Sequence, residues 1–192
     1  NVAFGNSALD ENTTGGNNTA LGTQALQMNT TGDYNTALGR KALDANTTSD
    51  NNTALGYDAL GANTTGANNT AVGFEALKDN LDTHSCVAVG YKCAENATAN
   101  YTTAVGDRSM AGATITGEHN TSLGHYSLHA LTSGARNTGS GSNALASTTS
   151  GSDNTSVGYN ALGVNSTGNQ NVSVGSYALD ANTTASYNTA IG

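Results

Sequence analysis

The chain has 192 residues and a net charge of −8, with only 10% of residues charged, and its six Lys and Arg are too scattered to form the basic stripe of a nucleic-acid binder. No apolar run approaches the roughly 18 residues of a membrane span, so no membrane insertion is expected of this stretch. There is no Pro, which suits a stack in which nearly every backbone N–H joins a ladder, and two Cys are too few for a disulfide framework.

From the N-terminus, glycine recurs with a period of 17: Gly5, Gly22, Gly39, Gly56, Gly73 and Gly90, then Gly106, Gly124, Gly141, Gly158, Gly175 and Gly192. The cleanest unit runs Asn18-Thr19-Ala20-Leu21-Gly22, then Ala25-Leu26, then Asn29-Thr30-Thr31-Gly32, and begins again at Asn35. A fixed period of this kind means stacked coils, each too small to fold alone. The chain opens at Asn1 and closes at Gly192 in the same phase, with no initiator Met and no atypical end repeat. Residues 1–192 are therefore expected to be one solenoid segment of a longer repetitive fibre, whose caps and targeting signals lie elsewhere.

Within each unit, Asn-Thr-Ala-Leu predicts a short strand. Its Leu position, which includes Leu21, Leu38 and Leu55, is apolar in every copy except Ser140 and reads as a stacked core column. Its Ala position, which includes Ala20, Ala37, Ala54 and Ala71, is always small and reads as a close-approach surface facing another chain. The Gly bends the chain. Ala25-Leu26 predicts a second short strand, giving a second core column at Leu26, Leu43 and Leu60. Asn-Thr-Thr-Gly is turn chemistry. Helices are disfavoured by composition and spacing. The expected fold is all-β, a parallel β-solenoid of 11 coils with 17 residues per coil. Two large apolar side chains per coil make a thin core, and closure of three copies into a homotrimer is the expected remedy.

Between about Lys78 and Gly141 the repeat is disturbed: Gly90 to Gly106 is 16 residues and Gly106 to Gly124 is 18. All four His and both Cys lie in this stretch. Cys86 takes the strand-opening Asn position and Cys93 the small Ala position after the Gly. They read either as a disulfide across one coil or as two buried thiols. His125 and His129 have no Cys or carboxylate at ligand spacing, so no metal is expected. Asn-x-Thr triplets such as Asn29-Thr30-Thr31 match the glycosylation sequon but arise from the repeat itself. Thr30, Thr47 and Thr64 form a Thr ladder in turns, which argues against ice binding. The variable positions, among them Tyr34, Tyr57, Tyr159 and Tyr187, are expected to face outward, as contacts for a sugar or protein or as a stacking ladder between coils. No catalytic constellation and no phosphate-binding loop is present, so neither enzyme activity nor a cofactor is expected.

The pattern Asn-Thr-Ala-Leu-Gly-x-x-Ala-Leu resembles the Asn-Ser-Val-Ala-Ile-Gly-x-x-Ala motif of YadA-like heads in trimeric autotransporter adhesins. Asn171-Val172-Ser173-Val174-Gly175 and Cys86-Val87-Ala88-Val89-Gly90 come nearest to it. The resemblance covers the whole chain and implies a left-handed parallel β-roll, three chains side by side, displayed on a bacterial surface for adhesion, with no catalytic residues. The repeat here is longer than that family's, and it is also similar to the repetitive regions of phage tail-fibre proteins. The expected role is thus an extracellular, homotrimeric fibre segment that attaches to a cell-surface protein or glycan. The alternative is a passive shaft, with binding delegated to a tip domain outside the segment.

Overall fold

The computed structural model describes residues 1–192. It is a β-solenoid whose coils each contribute one three-residue strand, from β1 (Val2–Phe4) and β2 (Thr19–Leu21) to β12 (Thr189–Ile191). The strands form a single 12-stranded parallel sheet in sequence order. Register is strict: Thr19 pairs with Thr36, Ala20 with Ala37 and Leu21 with Leu38. It survives the short and the long coil, where Val87 pairs with Thr103 and Thr103 with Thr121. At about 4.8 Å per strand, the 11 steps make a rod roughly 53 Å long.

The expected second strand does not form. Ala25-Leu26 and its equivalents are turns in which Leu26, Leu43 and Leu60 have φ of 51°, 53° and 51°. The backbone ladder continues through them all the same, with Leu26 N–H donating to Ala42 O at 3.0 Å. A left-handed Leu costs roughly 1–2 kcal/mol. This conformation turns the side chain into the coil, and full burial of a Leu returns about 1.5–3 kcal/mol, so the strain is covered. The Gly column is needed for two reasons. Gly22 has φ 138°, and a Cβ on it would stand 2.5 Å from the carbonyl oxygen of Gly39 in the next coil.

The strand faces the opposite way from the expectation. Ala20, Ala37, Ala54 and Ala71 are fully buried inside the coil, so they cannot line an inter-chain surface. Leu21, Leu38 and Leu55 are 43%, 38% and 40% exposed on the outer face of the sheet. The physical reason is room. A 17-residue coil already holds Leu26 from the turn, and opposite it only a methyl fits. Core Leu26, Leu43 and Leu60 are fully buried, as are Leu77, Leu128, Leu145 and Leu162. The core of each regular coil therefore has one large apolar side chain, flanked by two Ala columns, whereas the irregular coils hold Ala94 in that place or bury two, Met110 with Ile115 and Leu128 with Leu131.

Two columns of buried Asn complete the interior. Asn18 Nδ2 and Asn29 Nδ2 both donate to Gly32 O, at 2.7 and 3.1 Å. Asn52 and Asn63 repeat the clamp on Gly66 O, at 2.9 and 3.0 Å. Coils are also tied to one another, Asn46 Nδ2 donating to Asn29 Oδ1 at 2.8 Å. A buried amide with its partners in place is nearly neutral, and one without them is expensive, so the columns hold only while they are continuous. The turn Thr residues serve the same stacking: Thr30 Oγ1 donates to Thr47 O and Thr132 Oγ1 to Thr149 O, each at 2.9 Å.

The columns are interrupted in the middle of the rod. Cys86 and Thr102 replace one Asn column, and the buried apolar residues Ala97, Ile115 and Leu131 replace the other. Ala97 pairs with Ile115 in an isolated parallel bridge, which fixes how the irregular coils align. The short coil lacks one residue of the Thr-Thr turn, reading Ala97-Thr98-Ala99. The long coil has four residues, Ala111 to Thr114, between Met110 and Ile115, where two separate Leu26 from Asn29. Core Ala becomes Ser here, with each hydroxyl engaged: Ser109 Oγ donates to Ser122 Oγ at 2.6 Å and Ser122 Oγ to Ser127 O at 2.9 Å.

Candidate functional site

Side chains at equivalent positions of successive coils stand one strand spacing apart, so the stack itself builds ladders from residues 17 apart in sequence. The position after the Gly carries a ladder of aromatic rings in three successive coils, at Tyr57, Phe74 and Tyr91. Tyr57 stacks on Phe74 with centroids 5.1 Å apart, and Phe74 on Tyr91 at 5.4 Å. The Arg40 guanidinium lies over Tyr57, 5.5 Å from its centroid. Beside it runs a charge ladder. Lys78 Nζ meets Glu75 at 3.0 Å and Asp58 at 3.5 Å, and Lys92 Nζ meets Glu75 at 2.9 Å and Glu95 at 3.1 Å. Burial pushes the Glu75 carboxyl up, but hydrogen bonds from Lys92 and Lys78 leave it below the usual range. Its hydrogen bonds with Glu75 and Glu95 hold the Lys92 ammonium above the usual value.

Both ladders end at a cavity of about 470 Å³ spanning the coils of Tyr91, Arg108 and Tyr126. The opening has a simple cause. At one position of the stack Glu95 is followed by Ala111 and then by His129, so a methyl stands between two long side chains. Glu95 and His129 are two coils apart, roughly 9.6 Å along the axis. Gly112 extends the gap, because a Cβ there would press on the His129 backbone and stand 3.0 Å from its ring nitrogen Nε2. Arg108 forms one wall. Its guanidinium carbon lies 5.3 Å from the Tyr91 centroid and 5.8 Å from that of Tyr126, and its Nη1 donates to the Tyr126 hydroxyl at 2.9 Å. The Tyr126 ring in turn contacts His129, with centroids 4.5 Å apart, and His129 Nδ1 lies 3.3 Å from Arg108 O.

Arg108 stands apart among the six cations. Lys41, Lys78, Lys92 and Arg136 each face a carboxylate. Arg40 and Arg108 have no carboxylate partner, and of these two only Arg108 lines a cavity.

No protein-family model, curated protein or solved structure matches this chain.

The sequence-predicted contact residues are dispersed. Tyr57 belongs to the stacking ladder, and Tyr159 meets Tyr177 edge-on with centroids 5.2 Å apart. Tyr34 and Tyr187 are exposed singly. None of the four lines the cavity. Cys86 and Cys93 are buried free thiols, not a disulfide: Cys86 Sγ contacts Ala99 O at 3.3 Å, while Cys93 sits in the small column otherwise filled by Ala or Ser. His125 pairs with Asp107 at 3.4 Å, and no set of three or more His, Cys, Asp or Glu converges as metal ligands. The sequon residues Asn29, Asn46 and Asn63 are fully buried and committed to the internal columns, so they cannot be acceptors in the folded rod. Tyr91, Arg108 and Tyr126 carry no expectation from sequence, and His129 is weighed there only as a metal ligand. Aligning the units on their Gly residues would have set Ala111 between Glu95 and His129.

Proposed function

We propose that this chain is part of an extracellular, homotrimeric fibre that mediates attachment to a cell surface, without enzymatic activity, its three solenoids running side by side as left-handed rolls. One observation carries the reading. The outer face of the sheet presents a file of apolar side chains interrupted only by Ser140, with Leu21, Leu38, Leu55, Val105, Leu123, Val157 and Val174 all more than a third exposed. A thin single rod with such a stripe gains by covering it. Three-residue strands about 10 Å wide along a rod of about 53 Å give roughly 500 Å² of face per chain. Three such faces closing on one axis bury roughly 1,500 Å² in all, about 500 Å² for each pair of chains, so the assembly rests on all three contacts forming together. The partner surface is thus the Leu21 column of two further copies, in place of the Ala20 column expected from sequence. Sedimentation equilibrium tests this: a mass of three chains supports it, and a folded 19.2 kDa monomer at micromolar concentration overturns it.

The regular coils on either side of the cavity favour a second reading, a passive shaft. Deleting the three coils from Asn18 to Asn68 separates the two: a shaft keeps its attachment through a distant tip with shorter reach, whereas binding that stays with the isolated segment belongs to the fibre wall.

A further inference from the structure

The geometry points to the cavity at Arg108 as a subsite for a carboxylate-bearing saccharide, such as a hexuronate unit of a surface polysaccharide. The inference rests on the adhesive reading above and names its ligand class. Three features of the cavity support it.

The first is a held, unpartnered guanidinium. The planes of Tyr91 and Tyr126 flank Arg108, and the Tyr126 hydroxyl takes one of its donors at 2.9 Å. A guanidinium carries five N–H donors in a rigid fork suited to bidentate carboxylate contact. The other donors have no carboxylate within salt-bridge distance, on a chain whose net charge is −8; Asp107 acts on the guanidinium only through space and itself contacts His125 at 3.4 Å. An Arg that is tethered beside a cavity with no carboxylate bonded to its fork is set up to receive one from outside.

The second is size. A volume of about 470 Å³ lies within the range of small-molecule sites, about 300–1,000 Å³. The missing side chain at Ala111 opens the slot over two coil steps, roughly 9.6 Å, which is long enough for a ring and its substituents.

The third is lining. Besides Arg108 the slot offers the Tyr91 ring, Glu95, Lys92 and His129. Glu95 and His129 can exchange hydrogen bonds with ring hydroxyls while the aromatic edges meet C–H surface. An inorganic anion would use Arg108 and leave the rest idle. A neutral sugar would leave the guanidinium uncompensated. The cavity residues belong to the segment after the Gly column, and none lies on the strand face assigned to assembly.

The test is calorimetric titration of the intact protein with tetrasaccharides of galacturonate, of glucuronate and of mannuronate-guluronate, with sialyllactose, and with the carboxyl-reduced form of each. The expected result is binding of at least one acidic saccharide, at least tenfold weaker after carboxyl reduction. Arg108→Gln should lower affinity at least tenfold, and Ala111→Leu, which fills the slot, should abolish binding; Tyr126→Phe, which only unties the guanidinium, should weaken it severalfold. Each variant is checked for an unchanged melting temperature and assembly state. Equal affinity for the reduced forms overturns the carboxylate assignment. Full affinity in both Arg108→Gln and Ala111→Leu overturns the subsite while leaving an adhesive fibre with its contacts elsewhere. If no saccharide, acidic or neutral, binds the intact protein, the subsite and the glycan-attachment reading fail together.

Discussion

The side-chain oxygen of Asn18 accepts the backbone N–H of Asn35, its counterpart in the next coil, at 2.8 Å. Asn52 N–H repeats the bond to Asn35 Oδ1 at 3.0 Å, and Asn69 N–H to Asn52 Oδ1 at 3.0 Å. Each Asn is thus both an acceptor for the coil ahead and a donor to a turn carbonyl, Asn35 Nδ2 reaching Ser49 O at 2.8 Å. Asn35→Ala removes both bonds and leaves the buried Asn52 N–H unpaired, at about 1–3 kcal/mol, while Ser49 O keeps its bond from Asn46 Nδ2 at 3.2 Å. With the lost bond to Ser49 O, at about 0.5–1.5 kcal/mol, we expect a total loss of about 2–4 kcal/mol on thermal or denaturant unfolding. Thr36→Ala, one residue on and exposed, should change stability by less than about 0.5 kcal/mol. Equal losses would show that the Asn column does not hold the coils together.

The two Leu columns should separate by phenotype. Leu43 is fully buried and Leu38 lies half-exposed on the sheet face. Leu43→Ala should cost about 2–5 kcal/mol and leave the assembly state alone. Leu38→Asp should leave the coil core intact, because its side chain lies outside it, and should lower the sedimenting mass by placing a charge in the proposed inter-chain face. A Leu38→Asp protein that still sediments as three chains would rule that face out as the interface.

How much of this was legible in the sequence depends on what each residue type can signal. The Gly period gave the coil length and the strand position, because only Gly accepts φ 138° against a carbonyl at 2.5 Å. It could not say which side of the strand faces in. Ala20 and Leu21 are both apolar, burial of apolar residues is a one-way rule, and the larger side chain was assigned to the core by default. The left-handed turn at Leu26 was hidden because Leu rarely adopts that conformation, so Ala25-Leu26 read as a strand. Of the buried Asn columns, that of Asn29 reads from sequence as a turn and that of Asn18 as the opening of the strand, although fixed Asn at two positions of each unit is a signal for internal ladders. The irregular stretch was visible in the 16- and 18-residue spacings, but its side-chain cluster was not. Tyr91, Arg108 and Tyr126 meet only through coil stacking, and the gap at Ala111 exists only once Glu95 and His129 are placed on either side of it.

The buried thiols set an alkaline limit on stability. Burial pushes the Cys93 thiol up to about 12, against an ordinary value of 9.0, so it stays neutral in the folded coil. In the unfolded chain the same thiol ionises above pH 9.0. The unfolded state then binds fewer protons than the folded one, so stability falls as pH rises through this window, by up to about 1.4 kcal/mol per pH unit. Ala fills the same position at Ala25, Ala42, Ala59 and Ala76, all fully buried, so Cys93→Ala should be tolerated. Its melting temperature should match the wild type near neutrality and fall less steeply above pH 9.0. Parallel curves for the two proteins would contradict burial of this thiol. A thiol reagent gives an independent check: little labelling of the native rod, and two groups per chain after denaturation.

The middle of the rod should open first. Asn63 Oδ1 and Asn80 Nδ2 are buried without partners, at the point where the ladder linking successive Asn residues stops. Beyond it, Cys86 and Thr102 interrupt one Asn column, and Ala97, Ile115 and Leu131 replace the other. Sulfur is a weak donor and apolar side chains offer none, so the inter-coil bonds that tie Asn18 to Asn35 and Asn29 to Asn46 have few equivalents here. Ser140, the one polar residue in the Leu column, does not add to this weakness, because that column faces outward and Ser140 is half-exposed. The weak segment is therefore set by the interrupted Asn columns and runs from about Asn80 to Leu131. Native-state hydrogen exchange should find the lowest protection for backbone amides in that stretch, and higher protection in the coils from Asn18 to Asn69 and from Asn137 to Asn171. If the cavity at Arg108 takes its ligand, saturating concentrations should raise protection in this same stretch and leave the flanking coils unchanged, since the bound ring would bridge the coils of Tyr91, Arg108 and Tyr126. Uniform protection along the rod, or a minimum among the regular coils near Leu38 to Leu60, would show that the Asn columns do not set local stability.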